Sequence, residues 1–154
     1  MITLEQIEAA HSNVAAMIEA FRKQPLSTEY SVAGVTIPLA PGERYAGLVL
    51  GDEGQPDYHL ILLPGEAESV SWKDACIWAG DRDASLPTRR EQSLLFANLK
   101  GEFESAWYWS GEEHEENDGW AWFQGFGYGS QNSYRRQDDE LRARAVRRFI
   151  PSVI

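Results

Sequence analysis

Five carboxylates, Glu112, Glu113, Glu115, Glu116 and Asp118, crowd around His114 in one short stretch and raise the first chemical question. A calcium ion takes six to eight oxygen ligands, so such a cluster has the right donors, but its spacing matches no defined calcium loop such as an EF-hand. His114 has no Cys or His at zinc-ligand spacing. The other two histidines, His11 and His59, belong to different elements, and the chain carries neither a Gly-x-Ser-x-Gly elbow nor a phosphate loop. Paired carboxylates are plentiful, yet nothing in the pattern constrains two of them to one geometry. The sequence is therefore read as non-catalytic, without a metal or a cofactor, and the carboxylate stretch as a solvated loop.

The residues from Phe126 to Arg136, FGYGSQNSYRR, suit recognition better than bond-making. Tyr, Ser, Gly, Asn and Arg are the types that binding loops favour, because rigid aromatic contacts cost little entropy and the small polar groups adapt their hydrogen bonds. Four of the six tryptophans lie just upstream, between Ala106 and Phe126. Trp and Tyr combine a large apolar surface with a polar handle. The expected ligand-binding residues are Trp120, Gln124, Tyr128, Ser130, Asn132, Ser133, Tyr134 and Arg136. The competing reading is a glycine-rich hairpin whose tyrosines only cover a sheet. If Trp120–Tyr128 is a strand, Trp120, Trp122, Gln124, Phe126 and Tyr128 share one face, and Ala121, Phe123, Gly125 and Gly127 share the other. Both faces carry aromatics, so alternation does not say which is buried.

The elements that must hold this surface follow from periodicity and caps. Residues 3–23 read as an amphipathic helix capped by Thr3 and ended by Pro25. Leu4, Ile7, His11, Val14, Ile18 and Phe21 recur at alternating spacings of three and four, which fits either a short coiled-coil seam or a stripe packed on its own domain. The seam reading makes the protein a homo-oligomer, dimer or trimer, through residues 3–23. Short strands are expected at Tyr30–Val32 and Val35–Pro38, around a turn at Ala33-Gly34. An antiparallel hairpin is expected from Ala46–Leu50 and Tyr58–Leu63 across GDEGQPD. Ser71 caps a helix over Trp72–Ala79. Thr88 and Glu91 form a capping box for a second helix, Arg89 to about Leu99. Arg89 and Arg90 sit in its first turn, against the helix dipole, and call for carboxylate partners. Ala106–Ser110, Trp120–Phe126 and Arg142–Ile150 read as strands, so the layout is α+β rather than alternating βαβ.

At 154 residues the chain fits one domain with a small N-terminal appendage, divided at residues 1–25 and 26–154. A net charge of −10 disfavours binding to nucleic acid or to an anionic membrane. Seven carboxylates and no Lys or Arg fall between residues 102 and 118, against six arginines and three carboxylates between 135 and 148. These two segments are expected to pair within the fold. The single cysteine, Cys76, forbids an internal disulfide and reads as a buried small residue. No apolar run is long enough to span a bilayer, and Glu5 and Glu8 stand where a signal peptide would be basic. A cytoplasmic site of synthesis is expected, with packaging into a larger particle such as a virion left open.

Six elements then occur in a recognisable order: the W-x-x-A helix Trp72–Ala75, Leu86-Pro87-Thr88 with Glu91, Tyr108-Trp109-Ser110, Ala121-Trp122 with Phe126, Gly129-x-Gln131, and Arg144-Ala145-Val146-Arg147. Over residues 44–150 this succession resembles the Lcl C-terminal domain family, bacterial and phage domains of C-type-lectin-like fold. LPTRREQSLLFANL and WYWS are similar to the versions in tailed phages and prophages. The resemblance implies two helices flanking a small twisted antiparallel sheet, with Leu86-Pro87-Thr88 and Tyr108-Trp109-Ser110 as scaffold. It also implies a ligand surface on the late strands, around Trp120–Arg136. The Glu-Pro-Asn and Trp-Asn-Asp sugar motifs of calcium-dependent lectins are absent, and Cys76 alone does not supply the catalytic cysteines of the related formylglycine-generating enzymes. The expected function is a non-catalytic recognition module of phage type that binds a protein or a glycan. The alternative is an acidic inhibitor or anti-defence protein that occupies a host protein.

Overall fold

The computed structural model describes residues 1–23, 29–32 and 34–151. Pro25 and Ala33, invoked above as a helix stop and a turn residue, lie outside the described residues. Helix α1 (Leu4–Arg22) begins with a complete capping box, Thr3 accepting from the Gln6 N–H and Gln6 accepting from the Thr3 N–H. Every described residue from Met1 to Lys23 is exposed, including Leu4, Ile7, Val14, Met17, Ile18 and Phe21. Of the two expectations for this stripe, packing on its own domain is therefore not what the chain does.

The rest is α+β. Strands β1 (Glu29–Val32) and β2 (Val35–Pro38) form an antiparallel pair. Strands β3 (Arg44–Val49) and β4 (Tyr58–Leu62) form the expected hairpin, and β10 (Val146–Phe149) pairs with the far edge of β4. A second, larger sheet has the order β5-β9-β6-β7-β8, built from Ala67–Val70, Leu141–Ala143, Trp107–Glu113, Trp120–Gly125 and Gln131–Arg136. Two helices cover it, α2 (Trp72–Gly80) capped by Ser71 and α3 (Arg89–Leu99) capped by Thr88 with Glu91.

The faces of the central strands divide as period-two alternation requires. Tyr108 and Phe126 join Leu95 of α3, together with Ala46, Leu60, Leu62 and Val146 from the smaller sheet, in one core. Trp109, Ala121 and Phe123 join Ala75 and Ala79 of α2 in another. Both faces of β6 and β7 are thus buried, which explains why aromatics on both sides gave no sidedness in the sequence. Tyr108, Trp109 and Ser110 are all buried, in keeping with the scaffold role expected of them. The indoles of Trp72 and Trp109 add polar ties, donating to the carbonyls of Ser110 and Val70 at 2.8 and 2.9 Å.

Three expectations are corrected. Arg142–Ile150 is not one strand: the chain leaves the large sheet after Ala143 and enters the small one at Val146. The Arg144 guanidinium bonds the carbonyls of Glu102 and Leu63 at this crossing, and Ala145 O accepts from the Leu63 N–H. The large sheet is not purely antiparallel, because β9 meets β6 in parallel at Tyr108 and Arg142. The late arginines do not pair with the acidic stretch at 102–118. Arg142, Arg147 and Arg148 instead reach Glu66, Glu43 and Glu91, carboxylates that precede it in the chain. Sheet order accounts for two of these pairs, with β9 beside β5 and β10 across β4 from β3, and the placement of α3 accounts for the third.

Glu91 is the most constrained of these carboxylates. It is fully buried and accepts from Arg148 through Nε and a terminal guanidinium nitrogen, both at 2.7 Å. It also accepts from the Tyr58 hydroxyl at 2.6 Å and from the Thr88 N–H at 2.8 Å. Burial alone would raise its pKa, but the bonds from Arg148, Tyr58 and Thr88 outweigh it and hold the carboxyl below its ordinary value. The Tyr58 hydroxyl is pushed up to about 12, by burial first and then by the Glu91 carboxylate.

A carboxylate depressed on folding contributes stability above its unfolded pKa and loses it as pH falls through the folded value. The share of stability owed to Glu91 is therefore complete above pH 4.5 and disappears on further acidification. Glu91→Gln should cost about 3 kcal/mol in urea unfolding near neutral pH, because it strands the Arg148 cation, and should flatten the acid limb of the stability profile. Tyr58 works in the opposite sense, since its contribution is lost as pH rises toward 12. Tyr58→Phe should remove part of the alkaline limb and, because it takes one donor from Glu91, also shrink the acid limb, though less than Glu91→Gln does.

Candidate functional site

Strand β8 comes from the segment whose composition fits either a binding loop or a glycine-rich hairpin. Gln131–Arg136 shows no apolar alternation, yet it pairs antiparallel with β7 as the edge strand of the large sheet. Its inner end is fixed by Gln131, whose Nε2 donates to Arg89 O at 2.6 Å and to Gln124 Oε1 at 2.7 Å. Gln124 is fully buried and passes its own Nε2–H to Gln92 O. A chain of glutamines thus ties the edge strand to α3. Gln124 is a correction to the expected site, since its side chain lies in the core and cannot touch a ligand on the surface.

The β7–β8 turn is set by Gly129 at φ +83°, where an added Cβ would lie 2.8 Å from the Phe96 ring. Only glycine satisfies both the left-handed backbone and that close approach. The turn projects Tyr128, which is 96% exposed. Ser130 is also exposed at this end, whereas Asn132 and Ser133 are half-buried along β8. Trp120 and Arg136 lie opposite each other at the far end of the hairpin and line a separate shallow groove with Asp118 and Asp138. The six residues of β7 from Trp120 to Gly125 span roughly 17 Å at strand rise, so the expected residues do not form one compact pocket.

The structure gathers a different set in mid-sheet. Trp107, Phe123 and Tyr134 make a ring cluster, with Trp107 and Tyr134 each within 5.5 Å of Phe123 and edge-on to each other at 6.3 Å. Phe123 is buried, while Trp107 and Tyr134 are 40% and 51% exposed. The Arg135 guanidinium lies 4.4 Å from the Trp107 ring and 5.5 Å from that of Tyr134. Trp107 has room because it pairs with Gly125, whose missing side chain would meet the indole at 3.0 Å. Trp107 was absent from the expected contacts. The signal was there in alternation, which puts it on the face of Trp109 one step nearer the sheet rim.

Beside this cluster a groove of about 500 Å³ opens where β6 and β9 diverge, lined by Glu68, Ser105, Ala106, Trp107, Glu140, Leu141 and Arg142. Arg142 is ion-paired with Glu66 at 2.5 Å, and the same carboxylate accepts from the Tyr108 hydroxyl. Burial, followed by that bond, raises the Tyr108 pKa.

The acidic stretch is more ordered than a solvated loop. Glu112 accepts from the Arg89 N–H at 2.6 Å and so caps the first turn of α3. Glu115 accepts from Trp122 Nε1 and lies 3.8 Å from the Arg89 guanidinium, which stacks 3.4 Å from the Trp122 ring centroid. His114 Nδ1 accepts from the N–H groups of Glu116 and Asn117. Arg89 thereby finds the carboxylate partners expected of it, whereas Arg90 bonds the Leu50 carbonyl instead. Glu113, Glu116 and Asp118 remain exposed. Among the described residues no group of three or more His, Cys, Asp or Glu side chains is placed to hold a metal ion. His59 bonds the Tyr45 hydroxyl at 2.9 Å within the core, as a structural histidine would. Cys76 is half-buried, and burial, followed by Glu113, raises its pKa and suppresses the thiolate. No helix among the described residues is long and apolar enough to cross a membrane.

Because Arg89 links loop, ring and helix at a partly exposed position, Arg89→Ala should cost only about 1 kcal/mol. It should nonetheless speed amide exchange across residues 112–117, measured by hydrogen exchange on the folded protein. Compared with known proteins, the chain matches no family model and no curated protein.

Proposed function

We propose that the protein is a non-catalytic recognition module of phage or prophage type, which binds a protein or a glycan through the aromatic and polar surface of β6, β7 and β8. The observation that carries this reading is the exposure of Trp107 on β6, Tyr134 on β8 and Tyr128 in the β7–β8 turn of one sheet, with a guanidinium over two of the rings. Large rigid aromatics held half out of a well-packed sheet supply contact area at low entropic cost, the economy that recognition surfaces use. A C-type-lectin-like fold of the Lcl C-terminal domain type is part of the proposal. It is supported by helices on both faces of the sheet and by the burial of Tyr108-Trp109-Ser110.

The module works as a homo-oligomer joined through α1. Leu4, Ile7, Val14, Ile18 and Phe21 fall on the two core positions of a heptad with His11, and none is covered by its own chain. Burying each such side chain is worth about 1.5–3 kcal/mol, which favours association of several copies along this seam. Joining copies would place several recognition sheets side by side and convert weak single contacts into avidity.

Two measurements test the reading. Labelled protein on peptide and glycan arrays should give signals that Tyr128→Ala and Tyr134→Ala each reduce at least tenfold. Tyr128→Ala should leave the melting temperature unchanged, and Tyr134→Ala, which uncovers Phe123, should cost about 1 kcal/mol. Signals indifferent to both substitutions would move binding off this surface. Light scattering should report a dimer or trimer for the full chain and a monomer once residues 1–25 are removed; a monomeric full chain would refute the seam.

A further inference from the structure

We infer that the groove between β9 and β6 receives a basic side chain, Lys or Arg, from a partner protein. The inference rests on the recognition reading and names the chemistry of its ligand. The walls of the groove differ in kind. Leu141 and Ala106 offer apolar surface, Trp107 offers an indole, and Glu68 and Glu140 stand exposed at its margins. Glu140 takes a single hydrogen bond, from Ser69 at 2.8 Å. The one cation in the lining, Arg142, is already neutralised by Glu66. Arg135 already lies over the Trp107 ring, so the charge left to a ligand is that of Glu68 and Glu140; it is negative and sits beside the ring and above apolar surface.

That combination suits a long basic side chain. Its methylene stem would lie on Leu141 and Ala106, and its cationic head would meet the two carboxylates beside the indole. The carboxylates are exposed, so neither must be stripped of water to await a partner. An anionic ligand would be repelled, and a neutral sugar would leave both carboxylates unused. The same sheet already shows the preference of its indoles: Arg135 lies over Trp107 and Arg89 over Trp122. With a net charge of −10 the whole molecule also draws basic partners from a distance.

The test is an NMR titration of the nitrogen-15-labelled full chain with Nα-acetyl-lysine methylamide, its norleucine counterpart and N-acetylglucosamine. The lysine probe should shift the Trp107 indole N–H and the Leu141 amide with a dissociation constant in the roughly millimolar range, and the norleucine probe should not. The double variant Glu68→Gln/Glu140→Gln alters only exposed groups, so it should fold normally and reduce the lysine response at least fivefold. Equal shifts from lysine and norleucine, or an unchanged response in the double variant, would overturn the charge assignment while leaving a recognition groove. A Trp107 shift with N-acetylglucosamine alone would replace the basic side chain by a sugar and leave the recognition surface standing. Silence of Trp107 toward every probe would remove both.

Discussion

Glu91 accepts from four donors that come from three parts of the chain: Thr88 at the head of α3, Tyr58 on β4 and Arg148 on β10. A carboxylate with no solvent contact is tolerable only when its lone pairs are filled, and here they are. The consequence is positional. Arg148 also reaches Ser85, so one ion pair registers the α3 cap, the small sheet and the loop before the helix against one another. The axis of α3 is then fixed, and with it Gln92 and the Gln124–Gln131 chain that anchors the edge strand. The proposed recognition surface hangs from that edge.

The crossing between the two sheets works by the same logic with opposite charge. Arg144 is nearly buried and its guanidinium spans the carbonyls of Glu102 and Leu63, which belong to separate segments. Phe103 lies beneath it, with the ring centre 5.2 Å away. Burial pulls its pKa down, yet an arginine this far above neutrality stays charged. A residue without side-chain donors at this point would leave both carbonyls short of a partner where the chain changes sheets. Glu91 and Arg144 together explain why two small sheets behave as a single support, although no strand pairs one with the other.

Much of this was legible in the sequence, and the illegible parts share a cause. Capping residues act within one turn, so Thr3, Ser71 and Thr88 marked all three helix starts. The β3–β4 hairpin followed from apolar runs around a polar turn. Strands β5 and β8 were missed because AESV and QNSYRR carry no apolar face; they are strands because neighbours in space supply hydrogen bonds, which no local pattern records. The break at Arg144-Ala145 was hidden for the complementary reason, since its flanks on both sides look like strand. Partner choice was the least readable feature. Charge counts suggested that the late arginines meet the acidic stretch, but sheet order and the packing of α3 decide which segments are neighbours, and they place Glu43, Glu66 and Glu91 closer.

The candidate site illustrates how far residue type can mislead about place. Gln124 and Tyr128 lie on one strand face by alternation, yet one is sealed in the core and the other is the most exposed tyrosine of the hairpin. The difference arises at the Gly125–Gly129 turn, where the chain leaves the sheet and alternation ceases to apply. Trp107 shows the reverse case. It belongs to the same WYWS run as three buried residues, but it stands at the first position of β6, where Gly125 gives its ring room. Its exposure is thus a property of the sheet rim, maintained by a glycine across the strand pair and an arginine over its face. A side chain held out of the core by its neighbours in this way needs no rearrangement to be reached, which is the property that the proposed recognition surface requires of it.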